Sequence, residues 1–321
     1  MFAEVIIDIA HSEVDKVFDY KIDDPSVTTG CRVEVPFGRQ KTEGFVIGIK
    51  DHTEVPLGKT KSIIRTLDDF PALSEDCLKL AEYIKSSYHV PFAAALRLFI
   101  PAELRGGRVR QKYVTVLSLA ESPSVDEMIA TLRKGSSARE QALLSLSGGN
   151  KELRSEMNSK YGSSAVNALI EKGFIVTEEI KVGRTPYKEL SSFSKNVVLS
   201  DEQQKALDGI TATDKRVSLL FGVTGSGKTE VYLRLINDTL KKGKTAIMLV
   251  PEIALTPQML GQLRARFSDN VSILHSGLSK GERYDEWLRL KTGETKIAIG
   301  ARSAIFAPLE NVGIIIVDEE H

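Results

Sequence analysis

The sequence predicts a multidomain chain in which a small β-rich domain and a winged-helix domain precede an α/β domain with a parallel sheet. Three patterns indicate this architecture. Strand-like runs fill much of residues 1–104, a helix–turn–helix pattern lies within 113–180, and apolar strand runs alternate with helical patterns from 197 to 321. Such alternation is typical of a doubly wound sheet that binds ligands at the carboxyl ends of its strands. Residues 181–196, which contain glycine, proline and several serines, are predicted to form a linker.

Composition limits the classes of protein that fit. The chain has 321 residues and a net charge of zero, so any nucleic-acid contact would come from local patches. Its two cysteines, Cys31 and Cys77, lie far apart, which predicts neither a zinc site nor a disulfide framework. No apolar run reaches membrane-spanning length and residues 1–4 lack a charged signal region, so we expect a cytoplasmic protein. The single tryptophan, Trp287, is expected to pack in a core rather than to stack on a base.

The N-terminal domain is predicted from short strand-like runs followed by a helix. Residues 3–9, 32–35 and 44–49 have the composition of strands. Ser74 then caps a segment with helical spacing of its apolar residues, which are Cys77, Leu78, Leu80, Ala81 and Ile84. Residues 105–112 form a basic, glycine-containing connection, which is either a linker or a contact with a DNA backbone.

The middle domain is predicted from a helix–turn–helix pattern over 153–175. Tyr161 and Gly162 lie at the turn, and residues 163–173 form the second helix. A winged helix is the expected architecture, although other small helical domains share this pattern.

A phosphate-binding loop, G-x-x-x-x-G-K-T, follows the apolar run 217–221, which predicts a buried strand, and precedes a helical run at 230–236. Its glycines let successive N–H groups face phosphate oxygens. Lys228 would reach the β- and γ-phosphates, and the Thr229 hydroxyl would bind Mg²⁺. The expected nucleotide-binding residues are Gly222, Val223, Thr224, Gly225, Ser226, Gly227, Lys228 and Thr229.

A carboxylate pair, Asp318 and Glu319, follows the apolar run 314–317. Asp318 would hold Mg²⁺ together with Thr229, and Glu319 would activate the water that attacks ATP. A phosphotransferase or GTPase remains an alternative, although the N-K-x-D sequence that reads guanine is not present. A DNA-binding adaptor without catalysis is a second alternative.

Four further stretches resemble the first-lobe motifs of superfamily 2 helicases and, in detail, those of the PriA family, the bacterial primosomal proteins N′ that restart stalled replication forks. They are LVPEIALTPQ at 249–258, LHSGLS at 274–279, IGARSAIFAP at 299–308 and IVDEEH at 316–321. The resemblance implies a RecA-like first helicase lobe. It also implies that Gln203 reads adenine, and that Arg302, Ser303 and His321 contact DNA or couple it to the nucleotide site.

Four N-terminal stretches resemble the 3′-end DNA-binding domain of the same family. They are VFDY at 17–20, RVEVPFG at 32–38, KSIIRTLD at 61–68 and YHVP at 88–91. From the residues alone, Phe18 and Tyr20 would pack in a core with Asp19 pointing outward. The resemblance implies instead a pocket for the terminal nucleotide that is formed by Phe18, Asp19, Tyr20, Gly38 and Lys61.

Within that pocket the resemblance implies a division of roles. An aromatic ring would stack on the terminal base, and Asp19 would accept a hydrogen bond from the 3′-hydroxyl and repel a 3′-phosphate. Gly38 would leave room for close backbone approach, and Lys61 would meet a phosphodiester.

The resemblance further implies an ATP- and Mg²⁺-dependent 3′-to-5′ DNA helicase that acts as a monomer in replication restart, away from membranes. Implied partners are DNA forks, 3′ ends and single strands, single-strand-binding protein and other primosome proteins. The family continues beyond the DEEH motif with a Zn²⁺-binding insertion and a second lobe that carries arginine fingers. We therefore expect this chain to be a truncated N-terminal part with hardly any ATP hydrolysis of its own.

Overall fold

The computed structural model describes residues 1–9, 11, 14–56, 58–105, 109, 112–133, 135–184, 198–223 and 225–319; for 254, 257 and 258 it describes the backbone only. The chain divides into two compact units. One comprises Met1–Val109 and Thr185–His321, and the other comprises Arg110–Arg184. Most of the predicted linker, and residues 106–108 and 110–111 of the basic connection, lie outside the described residues.

A five-stranded antiparallel sheet forms the N-terminal part of the first unit. In sheet order its strands are β2 (Val17–Lys21), β1 (Phe2–Ile7), β4 (Gln40–Lys50), β3 (Arg32–Phe37) and β5 (Arg65–Thr66). Phe37 pairs with Gln40, so β3 and β4 join through the two residues Gly38 and Arg39. Gly38 has φ of 59°, the left-handed conformation that tight hairpin turns favour.

A parallel sheet forms the rest of the first unit, as the sequence predicts. Its strands, in sheet order, are β10 (Val271–Leu274), β11 (Ile297–Gly300), β9 (Thr245–Leu249) and β12 (Val312–Val317). Its helices are α7 (Asp201–Ala212), α8 (Lys228–Lys241), α9 (Pro257–Phe267) and α10 (Lys280–Lys291). The central strand β11 is buried along its whole length, as expected for a parallel strand covered on both faces, whereas Ile315 and Val317 of the edge strand β12 are exposed.

One predicted strand of this sheet is wrong. Residues 217–221 have no regular secondary structure, and the Phe221 side chain is 92% exposed. The β12 strand pairs with β9 along one edge, and no described strand pairs with its other edge. An apolar run indicates that a segment can form a strand but not that it pairs with one, and residues 217–221 do not pair with the open edge of β12. The prediction therefore identified an apolar segment correctly but not its pairing.

A helical segment of the N-terminal region packs against α10. It contains α1 (Glu75–Tyr88), which begins after the cap Ser74 as predicted, and α2 (Phe92–Leu96). Trp287 of α10 is 3% exposed, and its Nε1 donates to the Phe99 carbonyl oxygen at 3.0 Å. The expectation that Trp287 packs in a core is confirmed.

The second unit is a small three-stranded antiparallel sheet with four helices. Its strands, in sheet order, are β7 (Glu152–Leu153), β6 (Tyr113–Leu119) and β8 (Ile175–Lys181). The helices are α3 (Val125–Ala130), α4 (Ser137–Ser145), α5 (Arg154–Tyr161) and α6 (Ser163–Glu171). The chain turns from α5 into α6 at Gly162, which has φ of 84°. The predicted helix–turn–helix is therefore present. Among the described residues, no helix is both long enough and apolar enough to cross a membrane.

Candidate functional site

A cleft of about 750 Å³ opens in the N-terminal part of the first unit, where β2, the β3–β4 turn and residues 52–55 and 59–61 come together. All five residues predicted for a DNA-end pocket line it, namely Phe18, Asp19, Tyr20, Gly38 and Lys61. Three separate stretches of sequence supply these residues, and the fold brings them to one surface.

The two aromatic residues of β2 have different environments. Phe18 is half-buried and meets Phe37 edge-on, with ring centroids 5.2 Å apart and planes at 79°. Tyr20 is buried, its hydroxyl donates to the Pro36 carbonyl oxygen at 3.2 Å, and burial raises the pKa of the phenol. Tyr20 is thus a core residue as well as part of the cleft wall. Phe18 is the aromatic ring with surface available for stacking.

Asp19 is held by two donors. Its carboxylate is 10% exposed, and the Lys50 Nζ lies 2.9 Å from its Oδ1. The Thr53 hydroxyl donates to its Oδ2. Lys50 also lies 3.1 Å from the Glu4 Oε1. Lys50, Thr53 and Glu4 line the same cleft and were not identified from the sequence. Strand register brings Glu4 and Lys50 beside Asp19, and the segment after β4 brings Thr53 there.

Gly38 and Lys61 contact each other at the mouth of the cleft. The Lys61 Nζ lies 3.3 Å from the Gly38 carbonyl oxygen. A Cβ at Gly38 would meet no atom of the chain within 4 Å, so the left-handed turn, and not internal crowding, accounts for the glycine. The space in front of its backbone is open to a ligand.

The phosphate-binding loop is compact, and its lysine points into it. Lys228, the first residue of α8, donates from Nζ to the carbonyl oxygens of Gly222 at 2.7 Å and Val223 at 3.2 Å. Gly225 and Gly227 have φ of 82° and 78°, which the glycines permit without steric cost. Thr224 lies outside the described residues.

Gln203 is fixed against this loop. It forms a reciprocal cap with Ser200 at the start of α7, and its Nε2 donates to the Ser226 carbonyl oxygen at 3.0 Å. A Cβ at Gly227 would lie 2.4 Å from the same Nε2, so a larger residue there would force the Gln203 amide to move.

Asp318 follows β12 and faces α8. Its N–H donates to the Leu249 carbonyl oxygen at 2.9 Å, and its Oδ1 accepts from the Tyr232 hydroxyl at 3.2 Å. Burial of Tyr232, together with the Asp318 charge, raises the pKa of the phenol to about 12. Tyr232 was missed from the sequence, although it lies one helical turn after Lys228 on the same face. Thr229 is the second residue of α8, and Glu319 is exposed with φ of 49°.

Two of the three residues expected to contact DNA or couple it to the nucleotide site lie on a short 3₁₀ helix after β11. Arg302 and Ser303 are exposed there, whereas His321 lies outside the described residues. Glu252 and Ser276 follow β9 and β10, and the Glu252 Oε1 accepts from the Ser276 N–H at 3.0 Å. The helicase-like stretches thus meet at the carboxyl edge of the sheet, which is where open α/β sheets bind ligands.

Two family models match this chain, one over the part that contains the cleft and one over the part that contains the phosphate-binding loop. A 3′DNA-binding domain model matches residues 4–101, and a DEAD/DEAH box helicase model matches residues 200–321. The chain therefore combines a DNA-binding domain with a helicase domain.

Curated relatives are similar over most of the chain. The replication restart protein PriA of Bacillus subtilis (strain 168) is 34% identical over 100% of this chain and 49% of its own length. PriA of Haemophilus influenzae is 34% identical over 95% of this chain and 43% of its own length. The chain belongs to the PriA family. The chain spans about half the length of these two relatives.

Proposed function

We propose that this chain recognises DNA 3′ ends through the cleft around Asp19 and binds ATP through the loop around Lys228. The observation that carries the proposal is the convergence of Phe18, Asp19, Gly38 and Lys61 on one open cleft. Membership of the PriA family supports the assignment to replication restart.

The cleft offers a chemically distinct contact for each part of a terminal nucleotide. Phe18 would stack on the base, which contributes about 1–3 kcal/mol with little dependence on base identity. Asp19 retains lone pairs beyond those that bind Lys50 and Thr53, and it would accept from the 3′-hydroxyl. Lys61 would pair with the preceding phosphodiester. A 3′-phosphate would meet the Asp19 carboxylate and be repelled.

The loop residues fit a nucleotide with Mg²⁺. Glycines in the left-handed conformation shape the loop, and the Lys228 ammonium, which now contacts two loop carbonyls, is available to exchange them for phosphate oxygens. Thr229 and Asp318 would hold the metal, which offsets phosphate charge. Gln203 would read adenine beside the loop, and Glu319 would orient the attacking water.

We further propose that the whole protein is an ATP-dependent 3′-to-5′ helicase that acts with single-strand-binding protein and other primosome proteins, and that its Zn²⁺ site lies outside this chain. Residues 113–180 would be a winged-helix domain, which the α5–α6 pair beside a three-stranded sheet supports. Arg302, Ser303 and His321 would couple DNA to the nucleotide.

The end-binding proposal is tested by fluorescence anisotropy with labelled oligonucleotides that differ only at the 3′ end. The 321-residue chain should bind a 3′-hydroxyl end more tightly than a 3′-phosphate end, and nearly equally for the four terminal bases. Lys61→Ala should weaken both ends alike and reduce the salt slope by about one. Equal affinity for hydroxyl and phosphate ends in the unmutated chain would contradict the proposal.

A further inference from the structure

Two carboxylates lie directly opposite each other on the strands beneath the cleft. Glu4 of β1 pairs in register with Asp19 of β2, and on its other side Glu4 pairs with Gly48 of β4. Like charges directly opposite on neighbouring strands are destabilising. This sheet therefore needs a cation near the pair.

Lys50 supplies that cation from the third strand. It lies two residues after Gly48 and so projects from the same face of β4. Its Nζ lies 2.9 Å from Asp19 and 3.1 Å from Glu4. Hydrogen bonds to Asp19 and then to Glu4 raise the pKa of Lys50, so the ammonium stays charged at neutral pH.

Gly48 makes this arrangement possible. A Cβ at that position would lie 2.7 Å from the Glu4 Oε2, so a larger residue would displace the Glu4 carboxylate. The β1–β4 pairing also shifts between Glu4 and Val5, because Ile47 is an extra residue in β4. Such bulges redirect side chains locally, and here Gly48 and Lys50 follow the bulge on the face that carries Glu4.

We propose that Glu4 and Lys50 set the charge that the end-binding cleft presents, and thereby set how strongly it discriminates a 3′-hydroxyl from a 3′-phosphate. The inference rests on the proposed end-binding function. Glu4, Lys50 and Asp19 together carry one net negative charge. Lys50 prevents the carboxylate pair from repelling all DNA, whereas Glu4 prevents Lys50 from neutralising Asp19. Both act as positioning residues through Asp19.

The proposal makes opposite predictions for two variants. Glu4→Gln brings the three groups to zero net charge while Asp19 keeps its acceptor oxygens, and Lys50→Met brings them to two negative charges. One unit charge about 6 Å from a phosphate, in surroundings close to water, changes affinity about threefold at low ionic strength. The ratio of the dissociation constants for phosphate and hydroxyl ends should therefore fall about threefold in Glu4→Gln and rise about threefold in Lys50→Met.

Glu34→Gln is the matched control. Glu34 is a partly buried strand glutamate that pairs with Arg65 at 3.0 Å, and it does not line the cleft. The Glu34→Gln substitution changes the net charge of the chain by the same amount as Glu4→Gln, and it should leave the ratio of the dissociation constants for phosphate and hydroxyl ends unchanged. Lys50→Arg keeps the cation and should retain the ratio of the unmutated chain.

The outcomes distinguish a failure of the end-binding proposal from a failure of the proposal that Glu4 and Lys50 set the charge of the cleft. If the unmutated chain does not discriminate between the ends, the end-binding function itself is wrong. If it discriminates but Glu4→Gln and Glu34→Gln give the same ratio, the charge-setting role is wrong. A shift of Lys50→Met in the same direction as Glu4→Gln would also overturn it, and if Lys50→Met fails to fold, the two glutamine variants still decide.

Discussion

The contact between Tyr232 and Asp318 predicts a specific pH dependence of stability. Burial and the neighbouring carboxylate raise the pKa of Tyr232 to about 12, whereas an unfolded chain releases this proton near 10. The folded chain therefore keeps the Tyr232 proton up to a higher pH than the unfolded chain does. The stabilisation is fully present below about pH 10 and is lost as the pH rises towards 12.

The magnitude follows from the two contributions. A hydrogen bond from the phenol to a carboxylate that is partly exposed should stabilise the fold by about 1 kcal/mol at pH 8. The rise in the pKa of Tyr232 from about 10 to about 12 corresponds to a pH-dependent loss of stability of roughly 3 kcal/mol at most. Tyr232→Phe should therefore be about 1 kcal/mol less stable than the unmutated chain at pH 8, and that difference should disappear by about pH 11.

Urea unfolding followed by Trp287 fluorescence measures this, because Trp287 is buried in the same unit as Tyr232. The control is Tyr83→Phe, since the Tyr83 side chain is 62% exposed, and it should change stability little at any pH. Subtracting the ultraviolet titration of Tyr232→Phe from that of the unmutated chain isolates the titration of Tyr232. A difference titration centred near pH 10, or a stability gap that does not change between pH 8 and 11, would refute the reasoning.

Two further predictions concern the loop and the packing of α10. Gly227→Ala should weaken ATP binding more than Gly225→Ala does in a fluorescent-nucleotide assay. Both substitutions introduce left-handed strain of about 1–2 kcal/mol, but only the Cβ at position 227 forces the Gln203 amide to move. Equal losses of binding in the two variants would contradict the proposed fit. Arg283→Ala should destabilise the chain by about 1–3 kcal/mol in urea unfolding, because it leaves the buried Glu103 carboxylate without its ion pair, which lies at 3.1 Å. Adding Glu103→Gln should recover most of that loss; if it does not, the ion pair is not the cause.

The sequence supports hypotheses about the residues of both sites but not about their hydrogen-bond partners. The loop glycines, Lys228 and the Asp318–Glu319 pair could be proposed because their spacing has a direct physical meaning for phosphate and metal binding. Glu4 and Lys50 could not be assigned, because their closeness to Asp19 depends on the register of three strands and on one bulge. Register is a tertiary property that alternation alone leaves open.

The failed strand at 217–221 has a related cause. Its apolar residues have the composition of a buried strand, yet Phe221 is exposed and the segment does not pair with the open edge of β12. Tyr232 is an intermediate case. Helical spacing places it on the same face as Lys228, but nothing in the sequence indicates that Asp318 lies opposite.

The central claim is that Asp19 accepts a hydrogen bond from the terminal 3′-hydroxyl. The most direct measurement compares the affinity of the 321-residue chain for two oligonucleotides that are identical except for a 3′-hydroxyl or a 3′-deoxy terminus, in the unmutated chain and in Asp19→Ala. A hydrogen bond to a charged acceptor predicts a preference for the hydroxyl of roughly tenfold or more, and Asp19→Ala should erase it. Equal binding of the two ends by the unmutated chain, or a preference that survives in Asp19→Ala, would contradict the claim.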